Sequence, residues 1–188
     1  MNTVSGAKKI TLCAVCIALC YVLPLAFHSV GLGGSLSPMH IPVLLCGLIC
    51  GAGSGFLCGI AGPIISSLLS GMPPVLMLIR MIPELCAYGL VTGYMMKHFR
   101  TGKTAVDVYV SLFSAMLTGR LIGGIATTLL YTVTSGVYSI ELWLTGYFIE
   151  ATPGMIVHLI LIPLLDFSLE KARLLPVRYP NYSRNCCR

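Results

Sequence analysis

Four ionisable side chains sit where the surrounding sequence leaves no water for them. Arg80, Glu84, Arg120 and Glu150 fall inside long apolar runs. A charged group inside a bilayer costs roughly 2.5–3.5 kcal/mol on insertion scales, so each is a functional hypothesis. Arg80 and Glu84 are four residues apart, share a helix face and could pair. Pro83 lies between them, removes a backbone donor and marks a helix that lines a cavity rather than lipid. Pro153 interrupts the chain just beyond Glu150 in the same way. Two chemistries suit the set. Two positive and two negative groups can cancel as internal ion pairs that hold helices together. Alternatively they form a polar ligand site, in which an arginine fork grips a ligand carboxylate bidentately. His40 opens the second apolar run and reads either as a hydrogen-bonded helix-start residue or as a ligand contact. His158 has no partner at metal-ligand spacing and reads as packing.

The elements that must hold these groups follow from composition. Of 188 residues, 56% are apolar and 10% charged, against about 45–50% and about 25% in soluble domains. The mean hydropathy is +0.90. A soluble domain, a disordered chain and a nucleic-acid binder are thereby excluded; the net charge of +6 comes without a basic stripe. The apolar runs are continuous rather than alternating, which excludes a β-barrel. The expected fold is all-α, an integral membrane protein of six spans over 10–27, 40–50, 55–69, 75–96, 108–133 and 143–165. The second and third are short enough to be broken or deeply buried. Residues 1–175 form one membrane domain, and 176–188 a basic tail.

Basic residues set the orientation. Lys8, Lys9, Lys97, Arg100, Lys103, Lys171, Arg173, Arg178, Arg184 and Arg188 all fall on one side of a six-span arrangement. The opposite loops, 28–39, 70–74 and 134–142, contain no Lys or Arg. Both termini are therefore expected in the cytoplasm. Tyr138, Trp143 and Tyr147 then mark the outer interface, and Tyr94 and Tyr109 the inner one.

Small residues recur four apart at Ala14/Ala18, Gly89/Gly93 and Gly119/Gly123, a spacing that lets helices approach closely. The glycine pairs read as packing within the chain. Ala14/Ala18 suits internal or external packing equally. Seven of the nine cysteines lie in apolar runs and act as small hydrophobes. Gly51-Ala-Gly-Ser54-Gly55 meets no nucleophile-elbow pattern, and no zinc-protease or Walker A motif is present, so no enzyme activity and no bound cofactor are expected.

Three stretches carry a family resemblance: Leu36-Ser-Pro-Met-His-Ile-Pro-Val-Leu-Leu45, Gly62-Pro-Ile-Ile-Ser-Ser-Leu-Leu-Ser-Gly-Met-Pro-Pro74, and Ala14-x-x-x-Ala18. Over roughly 8–175 the chain resembles an S component of an energy-coupling factor (ECF) vitamin transporter. The resemblance implies a prokaryotic plasma-membrane subunit that binds a vitamin or precursor from outside. Its implied partners are a membrane T component and two cytosolic ATPases, which consume the ATP. Ala14 and Ala18 would dock on the T component, loops 28–40 and 70–75 would cover the substrate, and transport would topple the whole subunit. The chain most resembles pantothenate-type S components, and folate and hydroxymethylpyrimidine relatives share parts of the pattern. Pantothenate has one carboxylate, hydroxyls and an amide. Arg80 or Arg120 would meet the carboxylate, and Glu150 or Tyr147 the hydroxyls. The competing reading is a self-contained secondary transporter or channel for a small organic anion. Such proteins usually carry inverted repeats, and 8–96 shows no self-similarity to 107–175.

Overall fold

A computed structural model of the chain describes residues 6–29, 37–133, 145–149 and 152–172. Among these the protein is all-helical, with no strand. Six α-helices follow in order: α1 (Gly6–Ser29), α2 (His40–Cys50), α3 (Ala52–Ser70), α4 (Val75–His98), α5 (Thr104–Val133) and α6 (Thr152–Lys171). A five-residue π-helical turn, Thr145–Ile149, precedes α6. Five of the helices are long and apolar enough to cross a membrane, and α2 is the exception. At 1.5 Å per residue its 11 residues rise only about 16 Å, against a hydrocarbon core of about 30 Å.

The short second run is thus a short helix, and it is buried. All of α2 except Ile49 is inaccessible, and it touches α1, α3, α4 and α6. Pro42 stands in its first turn, where a helix has no use for the missing N–H. The chain then reverses at Gly51, whose φ of +95° is the left-handed region open to glycine, and continues as α3. Within the single run expected over 143–165, the described residues hold the π turn and α6, which extends to Lys171. Pro153 is helical, within α6, and the residues just before Thr152 lie outside the described ones.

Close approach of α2, α3 and α4 rests on glycine. A Cβ on Gly89 would overlap the Gly55 backbone, one on Gly59 would sit 2.7 Å from the Leu85 carbonyl oxygen, and one on Gly93 would overlap Gly51 and Ala52. Without side chains the helices meet backbone to backbone, which gains dispersion contact in a setting where lipid offers no hydrophobic drive. Thiols fill the adjoining seam. The Cys46 Sγ–H donates to Cys13 Sγ at 3.8 Å, and the Cys20 thiol to the Met39 carbonyl at 3.9 Å. These are weak contacts of small, soft side chains. The basic tail expected at 176–188 lies outside the described residues.

Candidate functional site

His40 is placed by the turn that opens α2. Ser37 has a φ of +41°, an uncommon conformation for a residue other than glycine. It aims its carbonyl at His40, which donates to it from both the backbone N–H and ring Nδ1, each at 3.0 Å. The ring is buried at 5% exposure. The Ser-Pro-Met-His stretch is therefore a device for fixing one imidazole at the mouth of a buried helix.

Glu84 supplies the centre. It lies on α4, nine residues from the helix start, and is 5% exposed. Its Oε1 accepts the Tyr88 hydroxyl at 2.8 Å. The same oxygen is 3.6 Å from Arg120 Nη1 and 3.6 Å from His40 Nε2. One carboxylate oxygen thus faces polar groups from α2, α4 and α5. Arg120 is 6% exposed. Measured from the ends that meet at the Lys97–Lys103 segment, Glu84 is 14 residues from His98 and Arg120 16 from Thr104. These counts correspond to about 21 and about 24 Å, so antiparallel helices bring the pair to one depth.

Tyr88 is held as carefully. Its backbone carbonyl accepts the Thr92 hydroxyl at 2.5 Å, and its ring fills the space left by Gly119, where a Cβ would overlap it. Gly119 therefore makes room for the phenol beside Arg120. The His40 ring meets Tyr88 edge-on, with centroids 5.1 Å apart and planes at 65°. On its other side it stacks on His158 of α6 at 5.8 Å and 23°. Four helices converge on one buried polar cluster: His40, Glu84, Tyr88, Arg120 and His158.

The Arg80–Glu84 pair that the spacing allows is not formed. Glu84 pairs with Arg120, and among the described residues Arg80 has no salt bridge. The physical reason is direction and burial. The carboxylate turns along α4 toward Tyr88, away from Arg80, and meets a guanidinium as buried as itself. Arg80 stands half-buried one turn nearer the α4 start. Tyr147 belongs to the π turn, but its side chain and the whole of Glu150 lie outside the described residues. Tyr88 was missed, although its spacing of four from Glu84 is the signal that finds it. His158 was read as packing; it does pack, and it does so on His40.

Ala14 and Ala18 are exposed on α1, in line with Ile10, Val22 and Leu25, which are 74%, 51% and 54% exposed. The α3–α4 connection is clamped. Ser66 and Ser67 donate to the carbonyls of Met72 and Pro73, each at 2.9 Å, and Gly71 turns the chain at a φ of +70°. Among the described residues no group of His, Cys, Asp and Glu has metal-site geometry.

No match to the chain was found among curated proteins or among solved structures. Residues 8–165 match the family model described as ECF transporter, substrate-specific component. That span holds all five cluster residues, both alanines and the clamped loop. The chain belongs to the family of ECF transporter substrate-specific components, which are transporter subunits of the membrane rather than enzymes.

Proposed function

We propose that this protein captures a water-soluble vitamin or precursor carrying a carboxylate, pantothenate by best fit, and presents it for ATP-driven uptake. The reading is supported by one observation above the others. A buried Glu84–Arg120 pair is surrounded by His40 and Tyr88 in the half of the bundle away from the basic segments. A buried ion pair is weak evidence for stability, because hydrophobic replacements of similar volume often do as well. Its placement between α4 and α5, with His40 of α2 beside it, is better explained by a ligand. Arg120, already desolvated, can exchange Glu84 for a ligand carboxylate, and Glu84 can then accept ligand hydroxyls. Arg80, half-buried one turn out, gives an entering anion its first partner. Arg80, Tyr147 and Glu150 complete the proposed substrate-binding set.

The cytoplasmic side is taken as the side of the basic residues, by the positive-inside rule. A T component and two ATPases supply the energy in this reading, with Ala14 and Ala18 on the T-component face of α1. The exposure of both alanines supports that assignment. The location is a prokaryotic plasma membrane, and the chain itself needs no cofactor.

The test is a calorimetric screen of the detergent-purified chain against water-soluble vitamins. Pantothenate is expected to bind, and Arg120→Ala to weaken it at least about tenfold, the size of one lost charged hydrogen bond. Pantothenate binding left unchanged by both Arg120→Ala and Arg80→Ala would sink the carboxylate assignment.

A further inference from the structure

The hydrogen bonding of His40 fixes which nitrogen carries the proton in its neutral form. The Ser37 carbonyl can only accept, so Nδ1 donates to it. In the neutral ring Nε2 is then a lone pair, and it points at the Glu84 carboxylate from 3.6 Å. Two acceptors face each other in a buried place, and Nε2 has no hydrogen-bond partner. A proton on Nε2 converts that opposition into attraction. It also changes the charge of the cluster: Arg120 and Glu84 sum to zero, and a protonated His40 makes the total +1. A monoanion brings it back to zero.

We infer that the site takes up one proton, on His40 Nε2, together with one carboxylate ligand. The inference rests on reading the cluster as the substrate site. Among the described residues, the groups around His40 are few. From α4 it faces Glu84 and Tyr88, from α5 Arg120, and from α6 His158. Neither α3 nor the stretch of α1 between Lys9 and His28 contains a charged residue. From α1 the Cys20 thiol donates to the carbonyl of Met39, next to His40 in the chain. Asp166 is eight residues beyond His158, about 12 Å along α6, and Asp107 binds Thr101 at the far end of α5. The stacked His158 limits the stoichiometry. Two imidazolium rings lying nearly parallel repel, so the pair accepts one proton and His40, beside the carboxylate, holds it.

Linkage gives the sign. The liganded form holds a proton that the free form holds less of, so acidification tightens binding of the anion. Histidine titrates near neutrality, where the carboxylate of the ligand stays ionised. The experiment is calorimetry of the intact chain in detergent at pH 6, 7 and 8, each in two buffers of different ionisation enthalpy. Pantothenate is compared with its neutral alcohol analogue. Affinity for the acid is expected to fall about tenfold or more from pH 6 to pH 8. The buffer dependence should count close to one proton taken up, and the alcohol should show neither effect. His40→Asn keeps a donor for Ser37 but has no titrating nitrogen, so whatever binding it retains should be flat with pH. Equal affinity for pantothenate at all three pH values, with no buffer dependence, overturns the inference and leaves the functional reading standing. A different carboxylate vitamin binding with proton uptake, while pantothenate does not bind, overturns the pantothenate reading alone. Absence of binding by any carboxylate at any pH overturns both, and the same pH slope for acid and alcohol overturns the coupling of proton to carboxylate.

Discussion

Helices α1 and α2 have similar apolar compositions and opposite fates. The 24 residues of α1 can cross a bilayer, yet only Cys16 and Cys20 are fully buried. The 11 residues of α2 cannot cross, yet all but Ile49 are buried. Burial here follows position in the bundle rather than hydropathy. Helix α2 is enclosed on four sides and carries His40 into the polar cluster. Helix α1 lies against α2 and α3 on one side and turns Ile10, Ala14, Ala18, Val22 and Leu25 outward. The difference separates the two elements: α2 holds His40 in the buried polar cluster, and α1 presents an exposed apolar face.

That division can be broken deliberately, beginning where the packing is tightest. Gly89→Leu drives a side chain into the Gly55 backbone. It should cost at least about 3 kcal/mol, and detergent extracts should yield aggregated rather than monodisperse chain on size exclusion. Glu84→Ala leaves Arg120 buried without its carboxylate. A loss of about 3–5 kcal/mol is expected in thermal or denaturant unfolding, with little loss for Glu84→Ala/Arg120→Leu by comparison. Tyr88→Phe removes one hydrogen bond to a charged group and keeps the ring against Gly119. About 1.5–3 kcal/mol should be lost in the same unfolding assay. Ala14→Leu/Ala18→Leu should change stability by less than about 0.5 kcal/mol, because both positions are exposed. Ligand binding should survive, while co-purification with the T component should be lost. A large destabilisation of that variant would mean that α1 packs internally at those alanines, and the contrast with α2 would collapse.

Much of this arrangement is readable in the chain, and the unreadable part has a common cause. The apolar runs place α1 to α5 to within a few residues, including the short α2 with His40 at its start, because glycine, proline and basic residues punctuate the chain between them. Glu84 and Arg120 stand out singly, since charge inside an apolar run is visible without any partner. Their pairing does not. Arg80 is the neighbour of Glu84 by spacing, whereas Arg120 lies 36 positions along and reaches it only once α4 and α5 pack antiparallel. The same holds for His40 and His158, two isolated histidines in sequence that stack across α2 and α6. The glycine pairs at 89/93 and 119/123 show small size, but not which of them serves a helix seam and which clears space for the Tyr88 ring.

The central claim is that the buried charged pair binds the substrate rather than the helices. It is tested most directly by measuring the pantothenate affinity of Glu84→Gln/Arg120→Gln in purified chain. The double variant removes both charges together, keeps the shapes close and strands neither partner, so its unfolding midpoint should stay near that of the unaltered protein. Its affinity should fall at least about tenfold. Unaltered affinity in a folded double variant would contradict the account, and the pair would then be a fastening between α4 and α5.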